Sequence, residues 1–231
     1  MIRAIIFDLD GTLADTETLH FEAFRATLAP LGIELGRDQY FTRLIGYTDH
    51  DCFAAVMREH DGVFDAAAEI NHLMATKAAT YQAMIAERDV LYPGAADFVR
   101  RCAERFPLLI ATGTLKAEAE MILRRGAIRD QFLDIIAAED VQNGKPAPDG
   151  FLAALGRVGF LLRPRPSITA PECLAIEDTA AGVEAARRAG MRVLGVCQTA
   201  TAAELGGADL IRPSLAAIDL DELLRELSRL D

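Results

Sequence analysis

The sequence is poor in positive charge and in cysteine, and it has no long apolar run. Among its 231 residues, 24 lysines and arginines stand against 35 aspartates and glutamates, which gives a net charge of −11. Nucleic acids and anionic membrane surfaces are bound through basic patches, so we expect neither as a partner. An apolar fraction of 51% with 26% charged residues is typical of a folded protein that buries a real core.

The four cysteines, Cys52, Cys102, Cys173 and Cys197, are far apart in the sequence. Without a close pair they indicate neither a zinc site nor a disulfide framework, so we interpret them as reduced thiols. No stretch reaches the roughly 18 to 20 apolar residues that a transmembrane helix needs, and the N-terminal apolar run is too short for a secretory signal. These absences predict a cytoplasmic protein.

Short apolar runs that end in polar or small residues indicate strands buried on both faces, as in a parallel sheet. The clearest are Ala4–Phe7, Leu108–Ala111 and Leu174–Ile176, with weaker ones at Val193–Val196 and Leu210–Ile211. After residue 90 they alternate with helical patterns at Ala95–Arg105, Ala117–Arg125, Gly150–Val158 and Ala180–Ala189, with expected helix stops at Gly126, Gly159 and Gly190. This alternation predicts an α/β fold with a doubly wound parallel sheet.

Residues 16–86 do not follow this alternation of strands and helices, because they contain helical patterns and no convincing strand. The helical patterns cover Glu17–Leu28, Asp49–Glu59 and Ala66–Ala86. We therefore predict a Rossmann-like core made of residues 1–15 and 87–231, with residues 16–86 inserted as an α-helical cap domain. Farther along the chain, the proline-rich residues 163–171 predict an extended surface loop.

Polar residues follow three of the predicted strands, where an open α/β sheet binds its ligands. Asp8 and Asp10 follow the first strand, Thr112 the second, and Glu177 with Asp178 the third. Several carboxylates at one sheet edge repel one another unless a cation lies among them, and oxygen ligands favour Mg²⁺. Beside a cation, one carboxylate is a competent nucleophile toward phosphorus, and a second can donate and accept a proton.

Four segments in this order resemble the motifs of the haloacid dehalogenase-like hydrolase superfamily. They are Phe7-Asp8-Leu9-Asp10-Gly11-Thr12-Leu13, then Thr112, then Lys145-Pro146-Ala147-Pro148-Asp149, then Ile176-Glu177-Asp178-Thr179-Ala180-Ala181-Gly182. The likeness spans essentially the whole chain and includes a helical cap inserted after the first motif. Within the superfamily, the chain resembles the branch of β-phosphoglucomutase-like and phosphoglycolate phosphatase-like enzymes.

The resemblance implies a nucleophile, an acid–base group and a metal site. Asp8 would attack the phosphoryl group and form an aspartyl-phosphate, while Asp10 would act as general acid and then as general base. Mg²⁺ would be bound by Asp8, the backbone carbonyl of Asp10 and Asp178, with Glu177 as a ligand or just behind the ligands. Glu177 and Asp178 could also serve as an acidic pair at a helix N-terminus. Dehalogenases of this superfamily lack the second aspartate, so Asp10 argues against dehalogenation.

The resemblance also implies contacts to the transferring phosphoryl group. Thr112 and the backbone N–H groups after it, at Gly113 and Thr114, would bind the phosphoryl oxygens, and Lys145 would hold their charge and steady Asp8. The Thr-Gly-Thr sequence departs from the more usual serine-rich loop, which makes Thr114 a candidate for the second phosphate contact. Simpler alternatives are a helix cap for Thr112 and a solvated loop side chain for Lys145.

Five positions in the predicted cap are candidate substrate contacts: His20, Gly46, Tyr47, Asp49 and Lys77. His20 and Lys77 match cap positions of the mutase-like branch; the alternatives are a structural hydrogen bond for His20 and a solvated side chain for Lys77. Asp49 stands where β-phosphoglucomutases have an arginine that holds the second phosphate of a bisphosphate intermediate. An acid there would repel that phosphate, which disfavours a mutase. We favour a helix N-cap role for Asp49 over direct substrate contact.

These observations lead to a Mg²⁺-dependent phosphatase that acts on a small phosphorylated metabolite, as a monomer or weak dimer. Two alternatives remain open: a sugar-phosphate mutase of the β-phosphoglucomutase type, and a non-catalytic module that binds a phosphorylated metabolite on the same fold. Isomer formation that depends on a sugar bisphosphate would indicate the mutase. Inertness toward phosphate esters at saturating Mg²⁺ would indicate the binding module.

Overall fold

The computed structural model describes residues 1–44, 49–59, 66–162 and 167–230. The chain divides into two compact units, one made of Met1–Asp15 with Asp89–Asp231 and the other of Thr16–Arg88. We call the first the core unit and the second the inserted unit. None of the described helices is both long and apolar enough to cross a membrane.

In the described part of the core unit, six parallel strands form one sheet in the order β3-β2-β1-β4-β5-β6. The strands are β1 (Ala4–Phe7), β2 (Leu108–Ala111), β3 (Phe132–Ile136), β4 (Cys173–Glu177), β5 (Arg192–Val196) and β6 (Leu210–Arg212). The strand order changes direction at β1, which pairs with β2 on one side and with β4 on the other. Such a switch point, at the carboxyl ends of the strands, is where these sheets bind ligands.

Helices occur in both units. In chain order they are α1 (Thr16–Leu28), α2 (Arg37–Gln39), α3 (Asp49–Glu59), α4 (Ala66–Glu87), α5 (Ala95–Ala103), α6 (Lys116–Arg125), α7 (Asp149–Leu161), α8 (Ala180–Arg188) and α9 (Leu220–Leu227). A π turn covers Tyr40–Leu44, and 3₁₀ turns cover Ala29–Leu31, Arg129–Gln131, Ala138–Asp140, Ala170–Glu172 and Leu215–Ala217.

Both faces of the sheet are covered, because every residue of its central strands β2, β1 and β4 is buried. All four residues of β1 are buried. Ile6 packs in one cluster with Phe151 of α7. The next side chain, Phe7, points to the opposite face and makes an edge contact with Phe98 of α5, with the ring centroids 6.1 Å apart. Helices on both faces of a parallel sheet confirm the predicted doubly wound α/β fold.

The five predicted strands and seven predicted helices are all present, but three elements have no prediction: β3, α9 and the short α2. Strand β3 lies at the edge of the sheet, and Asp134 interrupts its apolar run while Leu133 is exposed. The expected stop at Gly159 is wrong, because α7 continues to Leu161. A single glycine costs a helix only about 1 kcal/mol, and Phe160 and Leu161 continue it.

The inserted unit is helical, with no strand among residues 16–44, 49–59 and 66–88. Its own apolar cluster joins α1, α3 and α4, and includes Phe21, Phe24, Leu28, Phe53, Val56 and Leu73. A core separate from that of the sheet agrees with an inserted cap domain. Of the predicted loop at residues 163–171, residues 163–166 lie outside the described part, and the loop ends in the 3₁₀ turn Ala170–Glu172.

Candidate active site

Asp8 follows β1 at the switch point of the sheet. The residue is only 4% exposed, and its backbone N–H donates to the carbonyl oxygen of Ile176 in β4 at 3.0 Å. This bond extends the pairing of β1 with β4 by one residue, so the loops after the two strands begin side by side. The sheet thereby brings Asp8 next to Glu177 and Asp178.

Three buried carboxylates cluster at this edge of the sheet. Asp8, Glu177 and Asp178 each offer an oxygen, and these oxygens lie within 4.8 Å of one another. Three negative charges removed from water are unfavourable unless cations balance them. Closely spaced carboxylate oxygens are the donors that a hard divalent cation prefers. The cluster could therefore hold such an ion.

Lys145 supplies one positive charge to this cluster. Its Nζ forms ion pairs with Asp8 Oδ1 and, at 2.5 Å, with Glu177 Oε1, and the side chain is 22% exposed. The alternative of a solvated loop lysine is therefore wrong. Burial alone would lower the pKa of Lys145, but the two carboxylates outweigh it and raise the pKa. With Asp178 counted, three carboxylates face one lysine, which leaves an excess of two negative charges.

The excess of negative charge changes the pKa values of the carboxyl groups. Burial raises the pKa of Asp8 well above its ordinary value, and Glu177, Asp178 and Asp10 raise it further against the opposing effect of Lys145. Burial and then Glu177 raise the pKa of Asp178 to about 6. Without a cation among them, these two groups hold protons more tightly than ordinary aspartates do.

Two threonines that the sequence interpretation did not single out hold the carboxylate of Asp178. Thr12 Oγ1 donates to Oδ1 at 2.8 Å, and Thr199 Oγ1 donates to Oδ2. Gln198 Nε2 donates to the carbonyl oxygens of Gly11 and Thr12 at 2.9 and 2.7 Å, which fixes the loop after β1. Gln198 and Thr199 come shortly after β5, so their place at the carboxyl edge of the sheet was the available signal.

Two motif glycines leave room for these carboxylates. Gly11 has a φ of +78°, a conformation that favours glycine, and a Cβ at this position would collide with the carboxylate of Asp178. A Cβ at Gly182 would collide with the carboxylate of Glu177. Both glycines are therefore required by the space that the acidic cluster occupies.

Asp10 lies beside this cluster and contacts the loop after β2. Its Oδ2 accepts hydrogen bonds from Thr112 Oγ1 at 2.8 Å and from Thr114 Oγ1 at 2.6 Å. Its Oδ1 is buried and has no hydrogen-bond partner in the part of the chain that the structure describes. The N–H of Thr114 donates to Thr112 Oγ1 at 3.0 Å, so this N–H already has a partner.

The loop after β2 also borders open space. Gly113 is exposed, and a Cβ there would meet nothing within 4 Å. A cavity of about 180 Å³ lies here, and its lining includes Thr112, Gly113, Lys145 and Phe151. The helix-cap alternative for Thr112 is wrong, because Leu115 is the N-cap of α6.

The inserted unit holds a second polar cluster, made of His20, Asp49 and Lys77. Lys77 Nζ lies 2.7 Å from His20 Nδ1 and donates to Asp49 Oδ1 and Oδ2 at 2.8 and 3.0 Å. The lysine side chain is 3% exposed, and its Nζ lies 4.7 Å from the centre of the Phe24 ring. The His20 ring stacks on Tyr81 at 4.2 Å. The alternative of a solvated Lys77 is therefore wrong.

Asp49 is the first residue of α3, and its carboxylate bonds to Lys77. Gly46 and Tyr47, the other two candidate contacts of the inserted unit, lie outside the described residues. Of the five cap positions singled out from sequence, three therefore form one hydrogen-bonded cluster.

A family model described as haloacid dehalogenase-like hydrolase matches residues 2–190 of this chain. The β-phosphoglucomutase of Bacillus subtilis (strain 168) is 31% identical to it, over 97% of this chain and 95% of that protein. The fructose-1-phosphate phosphatase YqaB of Escherichia coli (strain K12) is also 31% identical, over 83% of this chain and 95% of that protein.

A solved structure shows the same similarity. It is a variant of CbbY from Rhodobacter sphaeroides in complex with Xylulose-(1,5)bisphosphate, and it matches with a TM-score of 0.75 and 31% identity over 94% of this chain and 96% of that one. The resemblance predicted from the four motifs is thereby confirmed.

Proposed function

Since the chain belongs to the haloacid dehalogenase-like hydrolases, we propose that it is a Mg²⁺-dependent phosphatase that hydrolyses a small phosphorylated metabolite through a phosphorylated Asp8. The observation that carries the proposal is the buried group of Asp8, Glu177 and Asp178 with Lys145 beside it. A phosphate monoester is itself an anion, so it can approach three carboxylates only if cations reverse the charge there. Lys145 and a bound Mg²⁺ together would do so.

The residues present fit Mg²⁺ in charge, donor type and orientation. Asp8, Asp178 and the backbone carbonyl of Asp10 would supply oxygen ligands. Thr12 and Thr199 hold the two oxygens of Asp178, as the hydrogen-bond partners of metal-ligating carboxylates commonly do. When bound, Mg²⁺ would neutralise negative charge on the carboxylates and on the phosphoryl oxygens.

The reaction that these residues would perform has two steps. In the first, a carboxylate oxygen of Asp8 attacks phosphorus, the bond between phosphorus and the ester oxygen breaks, and Asp10 gives its proton to the leaving oxygen. In the second, water attacks phosphorus and gives a proton back to Asp10. The bond between phosphorus and the Asp8 oxygen breaks, so inorganic phosphate and the free Asp8 carboxylate are released. Lys145 stays protonated because its pKa is raised, so it can hold phosphoryl oxygens throughout.

The inserted unit favours a phosphatase over the mutase alternative. Asp49 stands where the mutases have the arginine that holds a second phosphate. Its carboxylate accepts two hydrogen bonds from Lys77, so it also neutralises the positive charge of a lysine that could otherwise attract phosphate. An acid paired with a lysine offers no net positive charge to a second phosphate. We therefore propose a substrate with a single phosphate.

Phosphorylated sugars are the substrate class that we propose. The names of the relatives support it, since one is a β-phosphoglucomutase, another a fructose-1-phosphate phosphatase, and CbbY was solved with Xylulose-(1,5)bisphosphate.

A phosphate-release screen tests the proposal. The purified chain is incubated with sugar monophosphates, phosphoglycolate, nucleotides and pyrophosphate, with and without Mg²⁺. We expect release from at least one sugar monophosphate, its loss on addition of a chelator and its recovery with excess Mg²⁺. Asp8→Asn should abolish release. Asp97→Asn, at a core-unit aspartate whose side chain is 81% exposed, serves as the control and should not.

Three other results would point elsewhere. Isomer formation that requires a sugar bisphosphate would support the mutase. A folded chain that binds Mg²⁺ and releases no phosphate from any ester would support the non-catalytic binding module. Unchanged release by Asp8→Asn would rule out the phosphorylated Asp8.

A further inference from the structure

The two carboxylate oxygens of Asp10 have unequal surroundings. Oδ2 accepts two hydrogen bonds, from the hydroxyls of Thr112 and Thr114 at 2.8 and 2.6 Å. Oδ1 is buried and has no partner among the described residues.

Two hydroxyl donors at one oxygen fix the orientation of the Asp10 carboxyl group. Each threonine hydroxyl has a single proton to donate. Thr112 Oγ1 accepts the N–H of Thr114 and directs its own proton to Asp10, and Thr114 Oγ1 does the same with its proton. The orientation of the carboxyl group therefore depends on both hydroxyls.

We propose that Thr114 is a positioning residue for Asp10. Its hydroxyl, together with that of Thr112, holds Oδ2 and thereby fixes the orientation of the carboxyl group that gives its proton to the leaving group. The proposal rests on the function proposed above, in which Asp10 is the general acid. It differs from the expectation from sequence, in which Thr114 contacts phosphate, since in this structure the hydroxyl of Thr114 donates to Asp10.

Thr114 can be tested separately from the loop that carries it. Its backbone N–H donates to Thr112 Oγ1, and its carbonyl oxygen accepts the N–H of Ala138 at 3.1 Å. Both bonds use backbone atoms of Thr114, so they persist when its side chain is replaced. Thr114→Val keeps the shape of threonine and removes the hydroxyl, while Thr114→Ser keeps the hydroxyl and removes the methyl group.

The test compares two leaving groups. In para-nitrophenyl phosphate the leaving phenolate is stable and needs little help from an acid, whereas the alkoxide leaving from a sugar monophosphate depends on a proton donor. The ratio kcat/KM covers the steps up to departure of the leaving group, so it reports on the acid even when hydrolysis of the phosphorylated enzyme is slow.

We expect Thr114→Val to lower kcat/KM for the sugar monophosphate by about 10-fold or more, since general acid catalysis contributes about 10²- to 10⁴-fold. The loss for para-nitrophenyl phosphate should be at least severalfold smaller, and Thr114→Ser should restore most of the activity. Thr201→Val is the matched control, because Thr201 also donates its hydroxyl to a carboxylate, that of Glu204, but in an exposed loop. It should leave both ratios unchanged.

Several outcomes would overturn the proposal. Equal losses for the two substrates in Thr114→Val would indicate a general structural or phosphate-binding role, as would failure of Thr114→Ser to restore activity. No loss with either substrate would show that Thr112 alone positions Asp10. A wild-type chain that hydrolyses both substrates while Thr114→Val loses them equally contradicts only the role of Thr114. A wild-type chain that hydrolyses neither contradicts the proposed function and this proposal with it.

Discussion

Two lysines, one in each unit, lie among acidic side chains but differ in charge balance. Lys145 of the core unit is ion-paired with Asp8 and Glu177, and Asp178 adds a third carboxylate to the same cluster. Lys77 of the inserted unit forms its ion pair with Asp49 in the part of the chain that the structure describes. Three acids against one lysine leave two negative charges in excess, whereas one acid against one lysine leaves none.

The difference separates a site that needs a ligand from one that is complete. Lys77 Nζ lies 2.7 Å from His20 Nδ1 and donates to the carboxylate of Asp49, so the charges of Lys77 and Asp49 cancel. Such a buried pair contributes mainly to the structure of its own unit. The core-unit cluster lacks positive charge, which a divalent cation would supply. Unbalanced buried charge, rather than a buried lysine, is what indicates the functional site here.

Replacement of Lys145 should have the largest effect of these changes, and this effect should be a loss of activity. Lys145→Met removes the positive charge that would hold the phosphoryl oxygens, so we expect kcat at saturating Mg²⁺ to fall by about 10²- to 10³-fold. Steady-state phosphate release measures it. The third lysine of the chain, Lys116, is more exposed, with its acidic partners at 3.7 and 3.8 Å. Lys116→Met is therefore the control. An equal loss of kcat in this variant would show that Lys145 has no special role in phosphate release.

Removal of the cation should make the stability of the core unit depend on pH. In the metal-free protein the pKa of Asp178 is about 6, against an ordinary value of 3.8, so the folded chain binds this proton more tightly than the unfolded chain. The resulting stabilisation is complete below pH 3.8 and is lost as the pH rises through about 6.

Thermal unfolding with and without Mg²⁺ measures this effect. Mg²⁺ binds ionised carboxylates, so it should raise Tm more at about pH 7.5 than at about pH 5. In Asp178→Asn, the rise in Tm caused by Mg²⁺ should be more similar at the two pH values. An equal rise in Tm at both would show that Mg²⁺ does not bind the acidic cluster.

Replacement of Lys77 should have a smaller effect, and one on stability. Lys77→Met keeps an apolar stem against Phe24 and removes the hydrogen bonds to Asp49 and His20. Loss of hydrogen bonds to a charged group predicts a decrease of about 2 kcal/mol in the free energy of unfolding. Urea unfolding of the variant beside Lys116→Met measures it. A Lys77→Met chain as stable as wild type would show that the pair does not stabilise its unit.

The sequence predicts the fold well where apolar runs are continuous. The runs at Ala4–Phe7 and Leu108–Ala111 are too short for helices and too apolar for loops, and both are strands with the predicted bounds. Strand β3 escapes prediction because Asp134 divides its apolar residues, which an edge strand tolerates since one of its sides is open.

The candidate site is predictable only as far as the sheet edge brings residues together. Residues after parallel strands meet at one edge, so the meeting of Asp8, Glu177 and Asp178 follows from sequence alone. Hydrogen-bond partners do not follow, because they depend on side-chain rotamers and loop paths. The donation of Thr114 to Asp10 and the burial of Lys77 therefore came only from the structure.

The account depends most on Asp8 as the carrier of the phosphoryl group. The direct measurement is an acid quench during turnover of a sugar monophosphate, followed by peptide mass spectrometry of the trapped chain. The account predicts one phosphoryl group on Asp8, released by hydroxylamine as an acyl phosphate would be, and absent from Asp8→Asn. A phosphoryl group on another residue during active turnover would contradict it.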